Sequence, residues 1–237
     1  MIPTDPRVQV AATCRGLATY GLGSDIGGHV SVRAPGEDAY WINAIDRTFE
    51  EMTPDAIVKL DYEGKLLEGD HPVSLGADFH EGIYAHRPDV AAIVHSHGPW
   101  ITSLCALNRP VRVWHNLSTF FAGECVMSDD DTFEAIAPGL GQKSTILIPY
   151  HGAITVSESL ARAAALHVTL EYAAELDVRM SSIPDAVPMQ EPMVSRVKAL
   201  VTKAGYLDLT FDLIMRRAAD HVEAADENWL SAEEVRA

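Results

Sequence analysis

Two stretches of the chain share one pattern: VAAIVHSHG at 90–98 and STILIPYHG at 144–152 each pass from a short β-favouring apolar run into histidine and then glycine. Such a run reads as a buried strand, and strand ends are where open sites form. In an extended backbone residues i and i+2 point to the same side, so His95 and His97 reach one point in space. His151 ends the second run in the same way and is the best third partner. Three neutral imidazoles around an open position suit a Lewis-acid metal, whereas a closed structural site would take a fourth protein ligand. Imidazole accepts both zinc and manganese, so the residue types leave the divalent ion open.

Around these two runs, helical and strand patterns alternate. Residues 5–20 read as an amphipathic helix ended by the glycines of YGLGSDIGG. HVSVRAP and AYWIN read as strands joined by the turn PGED, and TPDAIVKLDYEGKLLEGD as a strand and hairpin. SLGADFHEGIYAHRPD reads as a helix entering the strand before His95, PWITSLCAL as a helix and PVRVWH as a strand. The acidic start of DDDTFEAIAPGLG suits a helix N-terminus, and SESLARAAALHVTLEYAAELDVRM is a long helix with Ser157 as its cap. At 237 residues the chain fits one domain, 1–237, with a core over about 5–180 and a helical tail over 190–237.

Composition excludes several function classes. The chain carries 18 basic and 34 acidic residues, a net charge of −16 that repels phosphate backbones and anionic membranes. Nucleic acid and membrane are therefore not expected partners, and a small-molecule substrate is. No basic segment followed by an apolar core opens the chain, so the cytoplasm is the expected location. Cys14, Cys105 and Cys125 are widely spaced and form no CxxC pair, so buried thiols are expected rather than a disulfide framework.

GGHVSVR at 27–33, RPDVAAIVHSHG at 87–98 and ILIPYHGAITVSESLARAAALHVTLEYAAEL at 146–176 together resemble the class II aldolase/adducin family, over roughly residues 5–180. The resemblance implies an α/β fold, an α/β/α sandwich around a mostly antiparallel central sheet, commonly assembled as a homotetramer. It maps the family's metal histidines onto His95, His97 and His151 and leaves His167 as a helix residue.

Departures from the family pattern bear on the reaction. The sugar-phosphate aldolases of the family cradle phosphate with Gly-Asn, Thr-Gly and Ser-Ser pairs, where this chain has Gly28-His29, Ile45-Asp46 and Ser74-Leu75. An aspartate repels phosphate, so the substrate is expected to lack it there. The aldolases' catalytic Glu aligns with Gly76, and His80, one helical turn on, shares that face. Their tyrosine near the substrate is replaced by Asn116, while His115 matches a family position. Loss of the Glu suggests a reaction with less need of a base, and GHVSVR resembles the branch that decarboxylates aromatic hydroxy-acids.

The leading expectation is therefore a zinc- or manganese-dependent decarboxylase of a non-phosphorylated hydroxylated aromatic carboxylate. In it His29, His80 or His115 donates a proton, Arg33 or Arg47 grips a second carboxylate, and Ser74 and Asn116 contact the substrate. Trp100 and Phe120 either wall the ring or sit in the core. The alternative is a metal-dependent aldolase on a non-phosphorylated aldol that releases a small aldehyde. A non-catalytic adducin-like scaffold is a third reading, against which the complete histidine set argues.

Overall fold

The computed structural model describes residues 4–23, 25–74, 76–225, 227–231 and 235. Its centre is an eight-stranded sheet in the order β4-β3-β2-β1-β5-β8-β7-β6. The strands are β1 (His29–Arg33), β2 (Ala39–Asn43), β3 (Ile57–Asp61), β4 (Leu66–Glu68), β5 (Ala92–Ser96), β6 (Cys125–Met127), β7 (Thr145–Leu147) and β8 (Ala153–Ser157). All adjacent pairs are antiparallel except β6 with β7, in accord with the expected mostly antiparallel sheet.

Alternation along the strands divides the core in two, because successive side chains leave a strand on opposite faces. Val30, Val32, Ala92 and Val94 face one layer, formed by α1 (Pro6–Ala18), α3 (Pro99–Cys105), α5 (Leu160–Ser181), α6 (Met193–Lys203) and α7 (Tyr206–Ala224). Ile93, Ile154 and Val156 face the other, closed by α2 (Ala77–His86) and α4 (Phe133–Leu140). These two helical layers around the sheet are the expected sandwich. The tail packs on its own subunit: Ile214, Met215, Ala218 and Val222 of α7 are buried in the first layer. There the absence of a side chain at Gly16 allows α1 to approach Ile214, whose carbonyl oxygen would lie 2.7 Å from a Cβ. No helix among the described residues is long and apolar enough to cross a membrane. All three cysteines are free and buried, and burial pushes the thiols of Cys105 and Cys125 up to about 12.

Two local expectations are corrected. PVRVWH is not a strand: among the described residues, 110–115 joins no sheet and runs instead along α5. The cause is Asp177 on α5, which accepts hydrogen bonds from the Arg112 amide (2.9 Å) and the Trp114 indole (2.8 Å) and draws the segment away from the sheet. The long helix is capped by Ser159, which accepts from the Arg162 amide, and not by Ser157. Ser157 is the last residue of β8, paired with Ala92.

Asp177 is the strongest polar anchor of this region. Burial favours its protonated form, but the guanidinium groups of Arg109 (2.6 Å) and Arg112 (2.8 Å) and the two N–H donors above outweigh that and hold its carboxyl below the usual range. A carboxyl lowered on folding contributes stability above its unfolded value and loses it as pH falls through the folded one. Asp177→Ala should therefore cost about 3 kcal/mol in urea unfolding at neutral pH. Asp177→Asn should flatten the acid limb of the stability profile.

Candidate metal centre

β5 ends with His95 inside the strand and His97 just beyond it, both on the side of the sheet that α2 and α4 cover. His151 arrives from the neighbouring β7–β8 connection, whose tightness comes from two short backbone bonds, Ile148 N–H to Gly152 O (2.8 Å) and His151 N–H to Ile148 O (3.1 Å). Tyr150 in this turn has φ of 57°, a left-handed conformation that costs energy in a residue with a bulky side chain and sets the direction of its neighbour. One ligand nitrogen from each of His95, His97 and His151 lies within 4.8 Å of the other two.

The protonation pattern of these rings fits a metal. His95 donates Nδ1–H to the carbonyl of Ala153 (3.0 Å), which leaves a lone pair on Nε2, 3.0 Å from Nε2 of His97. Metal-binding histidines are commonly oriented by such a bond from their second nitrogen. Burial, and for His95 and His97 the neighbouring imidazoles as well, pushes all three rings below the ordinary histidine range. Neutral imidazole is the form that binds a cation.

The turn that carries His97 is held from below. Glu171 of α5 accepts the amide hydrogens of Trp100 and Ile101 (both 2.9 Å) and so fills the N-terminus of α3. His167 accepts from Ser96 Oγ at Nε2 (2.7 Å) and donates from Nδ1 to Thr155 Oγ1 (3.0 Å), whose own hydrogen goes to the Ala163 carbonyl. His167 therefore ties β5 and β8 to α5, the structural role expected of a helix residue.

The most consequential arrangement lies between His29 and Gly76. His29 sits directly opposite His95 in the β1–β5 pairing, and the two rings meet at 5.3 Å. Any side chain at position 76 would occupy the space of the His29 ring: a Cβ would collide with Cε1 and lie 3.0 Å from Nδ1. The volume opened by the missing acid is thus filled from β1. Neither ring nitrogen of His29 has a hydrogen-bond partner among the described residues, and burial, with His97 and His151 nearby, brings its pKa down to about 3. His29 is neutral at physiological pH, so it meets a substrate as a hydrogen-bonding imidazole and not as an imidazolium acid.

The other sequence-derived candidates divide. His80 is fully buried against His29, Tyr40 and Phe79, one layer behind the metal histidines. Arg33 has four of its five N–H donors committed, to the carbonyls of Val90, Tyr84 and Arg87 and the Tyr62 hydroxyl, so it ties β1 to α2 and leaves no bidentate face for a carboxylate. Arg47, the alternative, has its Nε buried with no partner among the described residues. Ser74 Oγ accepts the Gly76 amide hydrogen (3.1 Å) and helps start α2; its neighbour Leu75 lies outside the described residues. Asn116 accepts the Leu117 amide hydrogen (2.9 Å), and His115 sits beside it in the same loop, bonding locally. Phe120 is core and Trp100 packs against it.

A cavity of about 710 Å³ opens beside His97 and His151, lined also by Thr102, Tyr150, Asp129, Asp130 and Asp131. These aspartates read in the sequence as the start of a helix, yet α4 begins only at Phe133. Asp131 lies near enough to His151 to favour its charged form. The run of three acids was the available signal, and it was ambiguous because helix starts and cleft walls both use it.

A model of the class II aldolase and adducin N-terminal domain matches residues 8–178. The chain belongs to that family. L-fuculose phosphate aldolase of Escherichia coli is 30% identical over 188 residues, 76% of this chain and 86% of that protein. 5-Methylthioribulose-1-phosphate/5-deoxyribulose-1-phosphate aldolase of Rhodospirillum rubrum is 33% identical over 187 residues, covering 75% and 83%. The structure of L-fuculose 1-phosphate aldolase from Glaciozyma antarctica superposes with a TM-score of 0.86 at 22% identity, over 94% of this chain and 92% of that one. This family member is a metal-dependent lyase. These relatives are sugar-phosphate aldolases, which corrects the expected likeness to the aromatic decarboxylase branch and favours the aldolase alternative.

The turn geometry makes a sharp prediction at Gly152, where a Cβ would lie 2.5 Å from the Ser96 carbonyl oxygen and 2.8 Å from Cδ2 of His97. Gly152→Ala should weaken zinc binding at least about tenfold by chelator competition, an effect of the size seen when metal ligands are mis-oriented. His97→Ala should abolish stoichiometric metal.

Proposed function

We propose that the protein is a zinc-dependent aldolase that cleaves, and in reverse forms, the carbon–carbon bond of a non-phosphorylated aldol. The observation that carries this reading is the convergence of His95, His97 and His151 at the edge of a cavity walled by carboxylates. An all-imidazole donor set favours zinc over manganese, which prefers oxygen ligands. A bound divalent ion supplies a Lewis acid that holds adjacent substrate oxygens and absorbs electron density as the bond breaks.

The chain's own residues then have two tasks. His29, neutral and beside His95, hydrogen-bonds a substrate oxygen in the volume that a side chain at position 76 would fill. Asp131, across the cavity next to His151, accepts the proton of the hydroxyl that becomes the aldehyde. It is the group we assign to the work of the acid missing at Gly76. Asp46 supports the absence of phosphate: it stands where the family's phosphate loop lies and pairs with His71 (3.1 Å). The carboxylates Asp129–Asp131 and the net charge of −16 oppose an anionic substrate as well.

The test is a parallel assay of aldehyde and CO2 on zinc-loaded protein, with phosphorylated aldols, non-phosphorylated aldols and ortho-hydroxylated aromatic carboxylates. Aldehyde should appear from a non-phosphorylated aldol and vanish in His97→Ala. Asp131→Asn should lower kcat about a hundredfold at unchanged metal content, the usual scale of a lost general base. CO2 without aldehyde would return the decarboxylase reading, and activity confined to phosphorylated aldols would refute the substrate class.

A further inference from the structure

Behind His29 lies a run of buried polar groups that the metal chemistry does not use. Tyr84 Oη is 2.8 Å from Ser31 Oγ, and Ser31 Oγ is 2.7 Å from Nδ1 of His80. All three residues are buried, and Nε2 of His80 has no partner among the described residues. The one polar ring against His80 whose nitrogens are also unpaired is His29, met edge-on at 5.6 Å.

Hydrogen counting gives this run a direction. The Tyr84 hydroxyl is enclosed, and its one hydrogen-bonding neighbour among the described residues is Ser31. Tyr84 must therefore donate to Ser31, since the reverse would leave a buried O–H without an acceptor. A hydroxyl carries one hydrogen, so Ser31, accepting from Tyr84, donates its own to Nδ1 of His80. A neutral imidazole with a lone pair on Nδ1 carries its hydrogen on Nε2. Burial keeps His80 neutral, with His29 acting the same way.

We propose that His80 is a positioning residue, fixed as the Nε2–H tautomer by Tyr84 and Ser31, which donates that hydrogen to His29. The consequence is specific. A neutral imidazole that accepts at one nitrogen must carry its hydrogen on the other, so His29 is locked as a hydrogen-bond donor on the nitrogen away from His80. His29 then grips a substrate oxygen and does not act as the base, a division of labour that leaves proton removal to a carboxylate. Only this use of His29 rests on the aldolase reading; the tautomer does not.

The test is nitrogen-15 NMR of zinc-loaded protein labelled at histidine, with the His80 signals assigned by their loss in His80→Gln. The expected result is an Nε2–H pattern for His80 with a through-bond coupling from Nε2 to a His29 nitrogen. In Tyr84→Phe, which keeps the ring and removes the donor that sets the direction, the His80 pattern should become a tautomer mixture. kcat should fall about tenfold with KM and zinc content unchanged, as for a slightly misplaced catalytic group. An Nδ1–H pattern in the parent protein, absence of the coupling, or a Tyr84→Phe spectrum identical to the parent would overturn the inference. If no aldol is cleaved, the aldolase reading fails while the spectra still decide this one.

Discussion

The pairing register of β1, β5 and β8 is the constraint on which everything else in the site depends. It sets His29 opposite His95 and His95 opposite Ile154. Because side chains alternate along a strand, a slip of one residue would send the histidines into the layer of α5 and bring Ser96 to the metal side. The register is in turn fixed by apolar alternation: Ala92 and Val94 must face one core while Ile93 faces the other. Metal geometry is therefore a by-product of hydrophobic sorting, reinforced by His167 and Glu171, which bind the strand end and the following helix to α5.

How much of this was legible in the sequence follows from how local each determinant is. His95 and His97 could be placed together from two-residue periodicity alone, and His151 from the same strand-end pattern. The sandwich followed from the family likeness and the alternation of strand and helix. What failed depended on contacts between distant residues. PVRVWH has the composition of a strand, but Asp177, more than sixty residues later, takes its donors. Ser157 and Ser159 are both plausible caps, and only the pairing of β8 with β5 decides between them. Arg33 looks like a surface strand arginine, whereas the carbonyls that claim it come from α2 and the segment leading into β5.

The decarboxylase expectation arose from a similar limit. It took the glycine at position 76 as a lost function, because a linear comparison sees one column at a time. In three dimensions the space is not empty, and the acidic segment at 129–131, which reads as a helix start, lines the cleft. The chemistry was redistributed among elements that the sequence alone does not bring together.

The mutual fit of His29 and Gly76 has an evolutionary consequence. A glutamate restored at position 76 would meet an imidazole already in its place, and a smaller residue at position 29 would leave a hole with no acid to fill it. Each single replacement is worse than either pair, so the route between this site and the family's usual one crosses a fitness valley. Relatives that share the histidine at one position should share the glycine at the other, and a search for covariation between the two columns would sort this kind of site from its neighbours more cleanly than overall identity does.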